Sequence, residues 1–212
     1  MTIELIHGDA LEELAKLPDG RVDAIVADPP YGISVLRADG AIRGTGLGVA
    51  ARGIYPPFSQ DDRPFDPAPW LAMGVPTVLW GANYFCNPLP RGTWLVWDKA
   101  RPPGGDFAEC ELAWCSRGRS VRIIHHLWHG MLRKGTEPRF HPTQKPVAVM
   151  SWAIEQLRLP AGATICDPYM GSGTTGVAAR QMGYGFIGIE IDEHWFNVAK
   201  DRIESTPEPL FV

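Results

Sequence analysis

The sequence predicts an α/β fold built on a mostly parallel sheet, and three observations carry that expectation. Short apolar runs alternate with amphipathic stretches along most of the chain, the arrangement of parallel strands joined by helical crossovers. Two distinctive turns, residues 28–31 and 167–173, each follow directly on an apolar run. In such sheets ligands sit at the carboxyl ends of the strands. Finally, 212 residues with 45% hydrophobic and 21% charged residues suit a single packed core and exclude a disordered chain.

The elements follow in order. Residues 3–6 read as a strand, and Asp9 caps a helix over 10–17 whose Leu11, Leu14, Ala15 and Leu17 share one face. Residues 22–27 form an apolar strand ending at Asp28. Residues 32–65 hold six Gly and three Pro without a sustained period, so a long loop is expected there, a length usually tied to function. A short helix follows Asp66, with Pro in its first turn. Strands are expected at 76–80, 93–97, 111–115 and 121–128, and with little helix between the last three they suggest an antiparallel edge. A polar loop covers 129–145. Then come a helix at 147–158, a strand at 163–166, a helix at 173–182, a strand at 185–189, and a last helix at 192–204 capped by Asp192.

Neither a secretory leader pattern nor a run near the ~18 apolar residues of a membrane span is present. The four Cys show no C-x-x-C spacing. No membrane association is expected, and the chain reads as a cytoplasmic protein with reduced thiols. Net charge is −4, but it is uneven: residues 99–145 carry +5 and the remainder −9. A basic segment in an acidic chain is a candidate phosphate-facing surface, although a solvated face has the same composition. Within it, Arg117 and Arg119 flank Gly118, and Arg133, Lys134 and Arg139 sit in or beside the polar loop.

The turn Asp167-Pro168-Tyr169-Met170-Gly171-Ser172-Gly173-Thr174 joins a strand to a helix. Gly171 and Gly173 permit a tight turn and close approach of backbone to a ligand. Glu190 ends the next strand, where an acid is placed to accept hydrogen bonds from ribose hydroxyls. No Lys follows the second Gly, so this is not a phosphate loop. The leading Asp-Pro is foreign to the dinucleotide fingerprint. A nucleoside ligand is therefore favoured over a polyphosphate, against the plainer reading of a turn that only packs a helix on a sheet.

Asp28-Pro29-Pro30-Tyr31 combines an acceptor carboxylate, two residues without N–H, and an aromatic ring. A carboxylate and a rigid carbonyl can both accept from one NH2 group while Tyr31 stacks on the ring bearing it. That suits a planar amine such as adenine N6 or cytosine N4. In isolation such a turn would more often be ordinary packing, but here it follows an apolar strand in a chain carrying the second turn.

These two turns, with His141-Pro-Thr-Gln-Lys-Pro146 between them, resemble the exocyclic-amino DNA methyltransferases that make N6-methyladenine or N4-methylcytosine. The order, amine motif first and Gly-rich motif late, is similar to the permuted beta group, and the resemblance spans essentially the whole chain. It implies a Rossmann-like methyltransferase fold with a seven-stranded sheet carrying one antiparallel strand. It also implies a single catalytic domain over 1–212, with DNA-recognition insertions within 32–65 and 99–140. The implied cofactor is S-adenosyl-L-methionine. Asp167, Pro168, Tyr169 and Gly171 to Thr174, Ser172 included, would hold its methionine portion. Glu190 would take its ribose, Asp9 with Ala10 its adenine, and Thr143 and Lys145 its carboxylate. Asp28, Pro29, Pro30 and Tyr31 would hold the flipped target base. Tyr169 stands where the family commonly has Phe, a change expected to be neutral. The implied partner is double-stranded DNA, in the setting of restriction-modification, and relatives often form homodimers.

Asp at position 28 leans toward adenine. N4-cytosine enzymes more often carry Ser there, and protein-glutamine enzymes Asn. A DNA-binding relative without catalysis is disfavoured by the intact Asp28 and Tyr31. None of the four Cys follows Pro, which argues against methylation at cytosine C5. His125, His126 and His129 lie near Cys115 without a recognised zinc spacing, so no metal is expected.

Overall fold

The computed structural model describes residues 2–32, 63–101, 108–129, 132–133, 135–140 and 143–209. Ten strands are described: β1 (Ile3–His7), β2 (Ala24–Ala27), β3 (Thr77–Trp80), β4 (Thr93–Asp98), β5 (Cys110–Cys115), β6 (Arg122–His125), β7 (Trp128–His129), β8 (Leu132–Arg133), β9 (Thr164–Asp167) and β10 (Gly185–Glu190). The helices are α1 (Ala10–Leu14), α2 (Ala68–Ala72), α3 (Val147–Leu157), α4 (Thr174–Gln181) and α5 (Glu193–Ser205). No helix among the described residues is long and apolar enough to cross a membrane. The expected loop 32–65 lies mostly outside the described residues.

Eight strands form one sheet in the order β1-β10-β9-β2-β3-β5-β4-β6, and β7 and β8 form a separate two-stranded ribbon. All neighbours are parallel except at β5, which runs against both β3 and β4. The sheet thus has eight strands rather than seven, with the one antiparallel strand expected. That strand is interior, not at the edge. Its Ala113, Trp114 and Cys115 are buried, which suits a position covered on both faces. The outer edge is β6, parallel to β4.

Period-two alternation splits the core between the two faces of the sheet. Ala24 and Val26 of β2 join a cluster with Val149, Ile154, Ala178 and Ile203 of α3, α4 and α5. Ile25 and Ala27 join Ala10 of α1 and Trp70 of α2 on the other face. The result is a three-layer α/β sandwich.

Boundaries shift for local reasons. α1 stops at Leu14, because the next bonds, Lys16 N–H to Glu13 and Leu17 N–H to Leu14, are of the tighter i to i+3 kind. The expected strand 121–128 divides, because β4 ends at Asp98: the His126 N–H takes the Asp98 carbonyl and the ladder has no further partner. Asp192 caps α5 as expected, accepting from the Trp195 N–H at 3.1 Å.

Candidate functional site

The parallel strands β2, β3, β4, β9, β10 and β1 all end at one rim of the sheet. β2 pairs with β9, so the turns that begin at Asp28 and follow Asp167 emerge side by side. Because β5 is reversed, its first residues, Cys110 and Glu111, come to the same rim, and its last residues leave at the opposite end.

Around Asp28 the side chains form a closed charge network. The Lys145 ammonium lies 2.5 Å from Asp28 Oδ1 and 3.2 Å from Glu111 Oε2. It also donates to the Tyr31 hydroxyl at 3.0 Å. Tyr31 in turn donates to Asp28 Oδ1. Glu111 Oε1 takes a second ammonium, Lys99, at 2.7 Å. The Lys145 side chain is only 4% exposed, and its ammonium lies over the Trp80 ring, 5.3 Å from the centroid. Burial alone would raise Glu111, but the ammonium groups of Lys145 and Lys99 outweigh it and hold the carboxyl down to about 2. Burial pushes Asp28 up, against the opposing pull of Lys145. The Tyr31 phenol is driven well up by burial and by the negative Asp28.

The Tyr31 ring stacks on Tyr84, with centroids 5.2 Å apart and planes 19° from parallel. Gly81 (φ +67°) lies against the same ring, and a Cβ there would sit 2.0 Å from Tyr31 Cε1. Glycine at 81 is therefore a condition of Tyr31's position.

The second turn is held differently. Asp167 Oδ2 accepts from the Thr175 hydroxyl at 2.5 Å and Oδ1 from the Tyr169 N–H at 3.0 Å. Burial pushes its carboxyl up to about 7, against those hydrogen bonds and with a further push from the negative Asp28 and Glu190. Glu190 accepts from the Gly171 and Asp192 N–H groups, each at 2.9 Å, one on each oxygen. Burial raises it too, against those same backbone bonds. Both carboxylates retain acceptor capacity beyond these bonds. A Cβ at Gly171 (φ +49°) meets nothing closer than the Tyr169 carbonyl at 4.0 Å, so the turn is open above this residue. Gly173 and Gly176 are closed, their added Cβ atoms coming within 3.0 and 2.4 Å of Ile203 Cδ1. Glycine at 173, expected at the ligand, is thus needed for packing against α5.

Most expected cofactor residues gather here. Asp9 caps α1 through Oδ1, accepting from the Leu11 and Glu12 N–H groups at 2.9 and 3.2 Å. Its charge reaches the Tyr169 phenol, which burial, then Asp9, pushes upward. Ala10 is buried beneath it. The Tyr169 ring sits edge-on to Phe65 and Trp70. Pro168 is buried and Thr143 is exposed. Ser172 and Thr174 are buried with their hydroxyls facing α5, where Arg202 Nη1 approaches them at 3.1 and 3.4 Å and also donates to the Ser172 carbonyl. Arg202 Nη2 lies 3.6 Å from Glu137 Oε1, and Glu137 Oε2 accepts the Val147 N–H that opens α3 at 3.0 Å.

Lys145, expected at the cofactor carboxylate, places its ammonium on Asp28, Glu111 and Tyr31. Arg117 and Arg119, expected at DNA, lie beyond the C-terminal end of reversed β5, at the end of the sheet opposite Asp28. Arg117 Nη1 donates there to the Leu157 carbonyl at 3.0 Å, closing the end of α3. Arg133 belongs to β8 by its backbone, and Lys134 lies outside the described residues. Arg139 is half-buried in the segment before Lys145. Of the residues first weighed for a metal, His125 pairs through Nδ1 with Asp98 at 2.7 Å, and Cys115 is buried. Lys99, Glu111, Gly81, Tyr84, Glu137 and Arg202 carry no local motif. A charged residue at a strand end was the only signal for the first two.

Residues 86–201 match the sequence model of the N6/N4 methyltransferase family, described as DNA methylase. Among curated relatives, the type II methyltransferase M2.DpnII of Streptococcus pneumoniae is 26% identical over 252 residues, covering 96% of this chain and 90% of its own. The type II methyltransferase M.ScaI of Streptomyces caespitosus is 28% identical over 254 residues, covering 98% and 83%. The fold is shared with M1.HpyAVI, solved as a complex with SAM (TM-score 0.57, 22% identity, 95% of this chain and 99% of that one). It is also shared with the cytosine-N4-specific PvuII DNA methyltransferase (TM-score 0.61, 13% identity, 95% and 86%). The family match alone spans more than half the chain, and the chain belongs to the N6/N4 family of DNA methyltransferases.

Proposed function

We propose that this chain transfers a methyl group from S-adenosyl-L-methionine to the exocyclic N6 of adenine, in a base rotated out of double-stranded DNA. The observation that carries the reading is the adjacency of the two turns. Asp28 and Asp167 end neighbouring strands, near enough for one charge to raise the other's carboxyl. A target amine at one and a methyl donor at the other would meet at the rim.

The residues fit the cofactor. Asp167 and Glu190 offer acceptors for its ammonium and ribose hydroxyls, and Gly171 leaves open space for its methionine portion. Asp9 and Tyr169 lie on the side where its adenine would rest. The bound cofactor supplies a methyl group already activated on a sulfonium. The rest is positioning. The amine's lone pair is delocalised into the base ring. Asp28 and the Pro29 carbonyl accept its two protons, favouring a pyramidal nitrogen with an available lone pair. Tyr31 holds the ring by stacking. Rotating the base out of the duplex costs a few kcal/mol.

DNA would reach this rim through residues 99–140 and 32–65 of a single catalytic domain. Arg133, Lys134 and Arg139 are the candidate phosphate contacts, whereas Arg117 and Arg119 lie at the opposite end of the sheet from Asp28. The test is digestion of duplex DNA after reaction, with mass spectrometry of the nucleosides. N6-methyladenine is expected. A signal only at N4-methylcytosine would overturn the adenine assignment, and no methylated nucleoside would overturn the reading entirely.

A further inference from the structure

We propose that Lys145 is a positioning residue of the target-amine site, aimed at Asp28 by Glu111. This rests on the function proposed above. An ammonium has three protons, and here three acceptors surround it: Asp28 Oδ1, Glu111 Oε2 and the Tyr31 hydroxyl, at 2.5, 3.2 and 3.0 Å. No proton is left for a cofactor carboxylate unless one of these contacts breaks. The site is also hard to leave. The side chain is buried, its head lies over the Trp80 ring, 5.3 Å from the centroid, and it meets Tyr31 at the hydroxyl.

The geometry assigns a task to each member. Lys145 and Tyr31 both bind Oδ1, which fixes the carboxylate plane of Asp28. Among the described residues Oδ2 has no partner, and it is the oxygen left to accept from the amine. Glu111 bridges two ammonium groups, Lys145 and Lys99. Lys99 and Lys145 against Asp28 and Glu111 give two positive and two negative charges. A buried pair that loses one partner leaves an uncompensated charge; here Lys145 is matched by Asp28 and Lys99 by Glu111, and the second contact of Glu111 holds the Lys145 ammonium in place. The reversal of β5 is what delivers Glu111 to this rim.

The test uses the full-length enzyme. Lys145→Met should lower kcat on the order of 100-fold, the scale of losing one oriented electrostatic group. Cofactor Kd by calorimetry should change less than about two-fold. Glu111→Gln, nearly isosteric, should cost roughly ten-fold in kcat and add little to Lys145→Met, because it acts through the lysine. In single turnovers, Lys145→Met should likewise add little to Asp28→Asn. A merely structural role would lower the melting temperature without this loss of kcat in the folded enzyme, and any loss it did cause would add fully to Asp28→Asn. Weakened cofactor binding with kcat retained at saturation would overturn the proposal and return Lys145 to the cofactor. So would wild-type kinetics in both single variants. A wild-type enzyme that methylates no DNA would overturn the functional reading first, and this proposal with it.

Discussion

Asp28 and Asp167 end adjacent parallel strands, yet their surroundings differ in kind. Asp28 is tied to an ammonium brought from 117 residues away, itself anchored by Glu111 and through it Lys99. Asp167 is held by one hydroxyl and one backbone N–H. Among the described residues no Lys or Arg pairs with it or with Glu190. One turn is a neutralised site that offers a hydrogen-bond acceptor. The other concentrates negative charge that a cationic ligand would relieve. Under the proposed function, this difference would separate a place for a neutral amine from a place for a sulfonium and an ammonium, across two neighbouring strands.

The largest expected effect breaks the first site alone. Asp28→Ala should lower kcat by on the order of 10³-fold, the cost of losing an oriented transition-state contact. Cofactor affinity by calorimetry should stay within about two-fold. If that affinity collapses in a folded variant, the two turns have exchanged roles.

Asp167→Asn should do the reverse, weakening cofactor binding by ~2–3 kcal/mol through loss of a buried charge pair. pH sharpens this test. The Asp167 carboxyl is raised to about 7, so below that pH it is largely neutral and attracts a cation weakly. Cofactor affinity should therefore rise as pH climbs through about 7, with proton release on binding. The Asn variant should show a flatter profile. For folding the sign is opposite. With the native carboxyl raised above its unfolded value, the native state binds more protons, and this group's contribution to stability falls as pH rises from the ordinary carboxyl range through about 7. Chemical denaturation across that range reads it.

Tyr31→Ala should cost ~1–3 kcal/mol in target engagement, the worth of stacking one base, with cofactor affinity retained. Fluorescence of an adenine analogue at the target position would report it. The smallest effect concerns docking. Arg139→Ala should weaken DNA binding uniformly across sequences and reduce the slope of log K against log salt by about 0.9. A change in sequence preference instead would mean that Arg139 reads a base.

Much of this was legible because it is local. Apolar runs gave nearly every strand, and Asp28, Asp167 and Glu190 were readable because each stands at a strand end followed by a telling turn or helix. What was not legible depends on strand order and direction. Nothing within residues 111–115 says which way β5 runs, so neither the end of the sheet at which Arg117 and Arg119 lie nor the place of Glu111 at the rim was readable. The motif around Lys145 gave its proximity to the two turns but not its contacts with Asp28, Glu111 and Tyr31, which come from three separate segments. Arg202 joins segments 30 and 65 residues away, which no sequence window contains.

The reversal of β5 also puts the Gly118 turn at the end of the sheet away from Asp28 and Asp167, which matters for anyone wishing to attach something to the molecule. The turn around Gly118 (φ +92°) leaves the sheet far from both carboxylates. A reporter peptide spliced between Gly118 and Arg119 keeps Arg117 on its Leu157 carbonyl, and methylation should proceed at the native rate. The same peptide spliced after Lys99 would lengthen the β4–β5 connection at the rim beside Lys99 and Glu111, where it should lower methylation. One backward strand therefore predicts where the chain should tolerate cargo and where it should not.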